Sequence, residues 1–200
     1  MLQLKRWMFK LLPYRPDSFS REDFELQYSS GRYDYLRGLS ELVHYSVLIG
    51  YCHYLKPAGS ILDVGCGEGI LQERLEPGKY SRYIGIDISH EAIRRASDRQ
   101  DAKTLFITAD VLTYIPPEQF DIIVFNECLY HFDEPLNVLR KYESFLKDDG
   151  IFLVSICDHE STSPIWKMLE AVYAPEDAVQ VLHRPDLSWT IKVLKPARHD

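Results

Sequence analysis

Three glycines at alternate positions, Gly65, Gly67 and Gly69, constrain this chain more than any other feature. They follow a short β-rich run, Ser60-Ile61-Leu62, that ends in Asp63 and Val64, and they lead at once into a helix-like segment from Ile70 to Glu76. Strand, glycine turn and helix in that order is how an α/β protein brings bare backbone up against a nucleoside cofactor. The spacing then separates kinds of cofactor. A dinucleotide fingerprint reads Gly-x-Gly-x-x-Gly, with its third glycine letting the helix pack and its helix N-terminus facing a pyrophosphate. Here Ile70 stands in that third slot, and the extra glycine comes one position early.

From Ser60 onward the pattern alternates. Short apolar runs rich in β-branched and aromatic residues occur at 60–64, 83–87, 104–108, 120–125 and 151–156, with helical segments near 70–76, 89–100 and 134–147. Alternating β and α predicts a parallel sheet with right-handed crossovers. The end differs: 177–183 and 188–195 read as two strands joined around Arg184-Pro185-Asp186, which predicts an antiparallel hairpin at a sheet edge. Residues 18–56 read as helices, with Leu36, Leu39, Leu42, Val43, Ser46, Val47 and Gly50 near one face, stopped by Pro57-Ala58-Gly59. The expected organisation is an N-terminal amphipathic segment, 1–17, and one domain over 18–200.

That first segment carries Leu4, Trp7, Met8, Leu11 and Leu12 at helical spacing, with Lys5, Arg6 and Lys10 elsewhere on the wheel. A basic amphipathic helix of this kind can lie on an anionic membrane surface through residues 1–12. The plainer reading, a helix packed on the domain or a frayed terminus, is the one we expect. It is too broken by charge for a signal peptide.

The net charge of −7 argues against a nucleic-acid backbone as partner, because phosphate neutralisation needs clustered Lys and Arg. Four widely spaced cysteines, Cys52, Cys66, Cys128 and Cys157, with no Cys-x-x-Cys pair, predict a reduced cytoplasmic protein without a disulfide framework or a metal site. His44, His53, His90, His159, His183 and His199 form no metal-spaced cluster and receive no role.

The string Asp63-Val-Gly-Cys-Gly-Glu-Gly69 resembles the first motif of class I S-adenosylmethionine-dependent methyltransferases, and the resemblance extends over roughly residues 18–195. It implies a Rossmann-like, doubly wound α/β fold. The sheet would be mostly parallel and seven-stranded, with an antiparallel C-terminal hairpin and an N-terminal helical cover. The implied cofactor is S-adenosylmethionine, which has no phosphate and so needs close backbone approach but no pyrophosphate cradle. The glycine loop, with Gly65, Cys66 and Gly67, would supply that approach.

Open α/β sheets gather ligand groups at strand C-termini. Asp63 there can hold the cofactor's ammonium, directly or through water; the alternative is a loop Asp capping the next helix. Asp87, roughly twenty residues beyond the loop, is the expected partner of two ribose hydroxyls, with Ile88 beside it; the alternative is an N-cap for the helix after Ser89. By resemblance, Asp110 accepts from the adenine amino group and Val111 donates from its backbone. Asn126 and Glu127, directly after the fourth strand, would lie beside the transferable methyl. Glu127 or His131 could serve as a general base, and a hydrogen-bonded structural role stays open for each.

Tyr28 and Tyr33 are candidates for an aromatic cover over the cofactor, with Arg32 available for its carboxylate. The combined runs Tyr28-x-x-Gly-Arg-Tyr-Asp-Tyr-Leu36, Asp63 to Gly69 and Phe125-Asn-Glu-Cys-Leu-Tyr-His-Phe132 resemble the NodS branch of N-methyltransferases, which implies an amino-sugar acceptor. The Asn-Pro-Pro-Tyr of one group of nucleobase methyltransferases is absent. The expected function is therefore methyl transfer to a nitrogen or oxygen of a small molecule or glycan. A non-catalytic S-adenosylmethionine-binding module remains as an alternative, and a nicotinamide oxidoreductase is disfavoured by Ile70.

Overall fold

A computed structural model describes residues 20–196. The segment expected to be amphipathic, 1–17, lies outside the described residues. Helix α1 (Arg21–Ser29) opens with Ser20, whose hydroxyl accepts the Asp23 N–H while the Asp23 carboxylate accepts the Ser20 N–H. This capping box satisfies two otherwise orphan donors. A 3-10 turn (Asp34–Arg37) leads to α2 (Leu39–Leu55). Then follow β1 (Ser60–Val64), α3 (Ile70–Arg74), β2 (Arg82–Asp87), α4 (His90–Ala96), β3 (Thr104–Thr108) and β4 (Phe120–Asn126). The C-terminal part holds α5 (Pro135–Glu143), β5 (Leu146–Cys157), α6 (Ser163–Glu170), β6 (Pro175–Arg184) and β7 (Leu187–Leu194).

Among the described residues, seven strands lie in the order β3-β2-β1-β4-β5-β7-β6. The first five are parallel, and β7 runs antiparallel between β5 and β6. The expected seven-stranded sheet with its reversed hairpin is therefore present. Strand periodicity divides the core. Leu62, Val64, Ile84, Ile86, Ile123 and Phe125 pack with α5 and α6 on one face. Ile61, Tyr83, Ile122, Val124 and Ile151 pack with α2, α3 and α4 on the other. Each such aliphatic side chain, fully buried, stabilises the fold by about 1.5–3 kcal/mol. Because side chains alternate, Asp63 falls on the α2–α3–α4 face beside Ile61, and the ring of Tyr83 meets it there.

Three expectations are corrected. The helix read over 134–147 ends at Glu143, and β5 already begins at Leu146, which pairs with Phe120 ahead of a register shift. Exposed Lys147, Asp148 and Asp149 gave that stretch a polar look. Helix α6 was missed: it is only 8 residues long, and its start is marked by Pro164 in its first turn. The apolar face read on α2 is not its buried face. Glu41, His44, Tyr45, Leu48 and Cys52 are buried, whereas Leu39 is 73% and Leu42 39% exposed. Packing of α2 on the sheet, not its apolar count, sets its rotation.

Candidate active site

Strand order reverses between β1 and β4, since β1 connects onward to β2 on one side and meets β4 on the other. Ligand crevices of open α/β sheets form outside the strand C-termini at such a point. Here the C-terminal ends of β1, β2, β3 and β4 and the cover residues ahead of α2 enclose a cavity of about 260 Å³.

The glycine loop closes one wall. Gly65 and Gly67 have φ of +72° and +56°, left-handed backbone that residues with a Cβ rarely adopt. A Cβ on Gly67 would also come within 2.6 Å of the Tyr28 hydroxyl, and one on Gly65 within 2.8 Å of Cys128 Cβ. The loop is tied to β2 by the N–H groups of Gly65 and Cys66, both donating to the Ile86 carbonyl at 2.9 Å. Cys128 thiol donates to the Val64 carbonyl at 3.1 Å, locking the segment after β4 beneath the loop.

Asp63 is 2% exposed. Asp63 lines the cavity; its Oδ2 accepts from the Tyr83 hydroxyl at 2.5 Å, and its buried Oδ1 accepts no hydrogen bond among the described residues. Burial pushes the carboxyl up to about 7, partly offset by the Tyr83 hydrogen bond and reinforced by the Asp87 charge. Asp87 is raised to about 6, again by burial, against the pull of backbone donors. It accepts from Gly67 N–H at 2.8 Å and from Ser89 N–H at 2.9 Å. Ser89 itself caps α4 through the Ala92 N–H, so Asp87 is not the N-cap of that helix. Asp110 Oδ1 accepts from the Leu112 N–H at 2.8 Å and rounds the turn after β3.

Beyond β4, Asn126 Oδ1 is buried at the cavity and accepts no hydrogen bond among the described residues. Glu127 has φ of +58°, a conformation that a side chain with a Cβ occupies only when its surroundings hold it there. Its N–H donates to the Ser155 carbonyl at 2.9 Å, and its Oε2 accepts from the Tyr130 hydroxyl at 3.4 Å. His131 ends a short 3-10 turn; its ring stands edge-on to Phe24 at 5.2 Å and tilted to Tyr130 at 4.6 Å. Loss of hydration among these neighbours pushes its pKa down to about 4, so the imidazole is neutral at pH 7. On the cover, the Tyr28 and Tyr33 rings lie 4.7 Å apart, both buried, with hydroxyls held neutral by desolvation.

The structure thus brings together Tyr28, Tyr33, Asp63, Gly65, Cys66, Gly67, Asp87, Ile88, Asp110, Val111, Asn126, Glu127 and His131 around one cavity. Arg32 is exposed and is not among the lining residues. Sequence reasoning missed Glu68, Tyr35, Tyr45 and His44, which line the same cavity. Glu68 and Tyr35 sit inside runs already singled out. His44 and Tyr45 carried no signal, because they lie on the α2 face that the apolar spacing did not favour. The His44 ring stacks on Trp189 at 4.7 Å, with Nδ1 3.9 Å from Glu41 Oε2. Among the described residues, no group of three His, Cys, Asp or Glu side chains is placed to hold a metal, and no helix is long and apolar enough to cross a membrane.

These groups fit S-adenosylmethionine. A buried carboxylate oxygen without a donor suits an ammonium, a second buried carboxylate suits paired hydroxyls, and a loop that admits no Cβ leaves its backbone open to close approach.

Comparison with known proteins is consistent with that fit. A family described as a methyltransferase domain matches residues 30–192. Malonyl-[acyl-carrier protein] O-methyltransferase 2 of Ilyobacter polytropus is 28% identical over 116 residues, 56% of this chain and 45% of that protein. The chain spans about half the length of the curated relatives it matches. Among solved structures, N-methyltransferase NodS from Bradyrhizobium japonicum, in complex with S-adenosylhomocysteine, is similar in fold. Its TM-score is 0.74 at 19% identity, covering 89% of this chain and 98% of that one. The 1,6-didemethyltoxoflavin-N1-methyltransferase of Burkholderia thailandensis gives 0.73 at 19% identity, covering 89% and 87%.

Proposed function

Because this chain belongs to the methyltransferase domain family, whose cofactor is S-adenosylmethionine, we propose that it transfers that cofactor's methyl group to a nitrogen or oxygen of a small molecule or glycan. The observation that carries the reading is that the glycine loop, Asp63, Asp87 and Asp110 share one cavity with Asn126, Glu127, Tyr130 and His131. Cofactor-binding groups and groups suited to an acceptor therefore face a common space.

The bound cofactor supplies a methyl group on a sulfonium, which is already electrophilic. The chain's own part is alignment and exclusion of water. In this reading Asp63 holds the ammonium and Asp87 the two ribose hydroxyls. Asp110 and the Val111 backbone take the adenine, and Gly65, Cys66, Gly67 and Ile88 line the approach. Tyr28 and Tyr33 cover it. Arg32 would have to reach the cofactor carboxylate from outside the lining. Asn126 orients the acceptor, and Glu127 accepts its proton, with neutral His131 as the alternative to Glu127 in that role.

The net charge of −7 and an array of lining carboxylates disfavour a nucleic-acid substrate. Two of the proteins similar in fold are named as N-methyltransferases, which supports a nitrogen acceptor such as an amino sugar. A reduced, cytoplasmic setting belongs to the same reading.

Thermal melting tests it. S-adenosylmethionine and S-adenosylhomocysteine at about 100 times their dissociation constants should each stabilise the protein by roughly 2.7 kcal/mol, and nicotinamide dinucleotides should not. A shift with a dinucleotide and none with either sulfur compound would reverse the choice of cofactor. Stabilisation without turnover on amines, amino sugars and hydroxyl acceptors would favour a binding module over an enzyme.

A further inference from the structure

Glu68 is the polar residue of the glycine run whose side chain has no task in the reading above. It is 4% exposed and lines the cavity, yet its carboxylate turns to two guanidinium groups. Oε1 accepts from Arg37 Nε at 2.6 Å, and Oε2 accepts from Arg95 Nη1 at 3.3 Å. Its own carbonyl accepts from Arg99.

Both guanidinium partners lead to the cover. Arg37 closes the 3-10 turn that follows Tyr33. Arg95, on α4, donates to the Tyr28 carbonyl and pairs with Asp34 at 3.1 Å. A second attachment lies at the start of α4, where the Glu25 carboxylate of α1 accepts from Ser89 Oγ and from the His90 and Glu91 N–H groups. Tyr28 is buried with its hydroxyl over Gly67, and Tyr33 is buried against it, so lifting this cover would open a path for a ligand beneath them. Lifting would draw Arg37 away from a desolvated carboxylate, and separating such a pair is unfavourable.

We propose that Glu68 is a positioning residue: by holding Arg37 and Arg95 it keeps the aromatic cover down on the glycine loop, and so sets the residence time of the nucleoside ligand. The inference rests on the cofactor reading above. It assigns to this side chain a hold on ligand exchange rather than a contact with the ligand.

The test uses the full chain loaded with labelled S-adenosylhomocysteine and chased with unlabelled compound. Glu68→Gln and Arg37→Gln should each release label about tenfold faster, equivalent to about 1.4 kcal/mol. Both remove the Glu68–Arg37 pair, while Glu68→Gln also loses Arg95 and Arg37→Gln also loses Glu73, so the double variant should release faster than either single one but by less than the product of their two effects. Folding is protected in both. Arg37 keeps Glu73 and Arg95 keeps Glu91 and Asp34 when Glu68 is neutralised, and Arg37 is itself 43% exposed.

Hydrogen exchange on the ligand-free chain supplies a second readout. Protection should fall over residues 24–36 in both variants and hold in β1, β4 and β5. A merely structural role would lower protection throughout and leave the release rate alone. Unchanged release in both variants, or full additivity in the double variant, would overturn the proposal. If the wild-type chain binds no S-adenosylhomocysteine, the cofactor reading fails instead, and the exchange pattern alone decides whether Glu68 holds the cover.

Discussion

Asp63 works against the stability of the ligand-free protein. With its pKa raised from 3.8 to about 7, the folded chain keeps a proton that the unfolded chain releases. Stability then falls as pH rises through that window, because the native state binds more protons there. His131 acts in the opposite sense: its fall from 6.5 to about 4 makes stability drop as pH falls through its own window. A difference measurement removes the His131 contribution. Asp63→Asn should stabilise the ligand-free protein relative to wild type more at about pH 8 than at about pH 4.5, read by denaturant midpoints. An equal effect at both values would mean that Asp63 is already ionised across the range. For the acceptor side, Glu127→Gln should slow methyl transfer at least about tenfold, or about 1.4 kcal/mol, with cofactor affinity little changed. His131→Ala should cost less, since a ring pushed down to about 4 is a poor base at neutral pH. Wild-type rates in both variants would leave alignment as the whole contribution. Asp63, Asp87 and Asp110 could be placed at the cavity from the sequence because the first two lie at the ends of strands that periodicity locates and the third follows one. Glu68 was visible, but its partners Arg37 and Arg95 lie about thirty residues away on either side, and no local pattern reports that meeting.

Helix α5 shows how an element can serve a site it does not line. Lys141 Nζ donates to the carbonyls of Val111 at 2.8 Å and Tyr114 at 2.7 Å, and the Tyr142 hydroxyl also donates to Val111 at 3.1 Å. The turn that carries Asp110 and Val111 is thereby fixed from outside. Lys141→Met keeps the aliphatic stem and removes two charge-assisted hydrogen bonds, so S-adenosylhomocysteine affinity by calorimetry should fall about tenfold, roughly 1.4 kcal/mol. Unaltered affinity would show that the turn holds its shape without the lysine. Strands proved easier to read than helices. Five runs of alternating or continuous apolar residues located the parallel strands to within a residue or two, save the early start of β5. The rotation of α2 was not legible, because Leu39 and Leu42 stay exposed while Glu41 and His44 turn inward. Only contacts made across the sheet decide that choice.

At the scale of the whole molecule, the alternation of strand and helix was enough to imply a parallel sheet, and the missing helix between the last two strands was enough to imply reversal at one edge. What alternation does not state is which of the two final strands lies inside. The answer is β7, which pairs with β5 on one side and β6 on the other. Its Trp189, Ile191 and Val193 are fully buried, whereas β6 at the rim is mostly exposed. Of these two strands, the one made later during synthesis is therefore the interior one. While the ribosome is still adding β6, the long strand β5 has its neighbour β4 in place and a bare backbone edge on the other side. An apolar strand left open in this way is a template for pairing with other chains. The nascent protein remains exposed to that hazard until residues 187–194 have cleared the exit tunnel and slid into the gap.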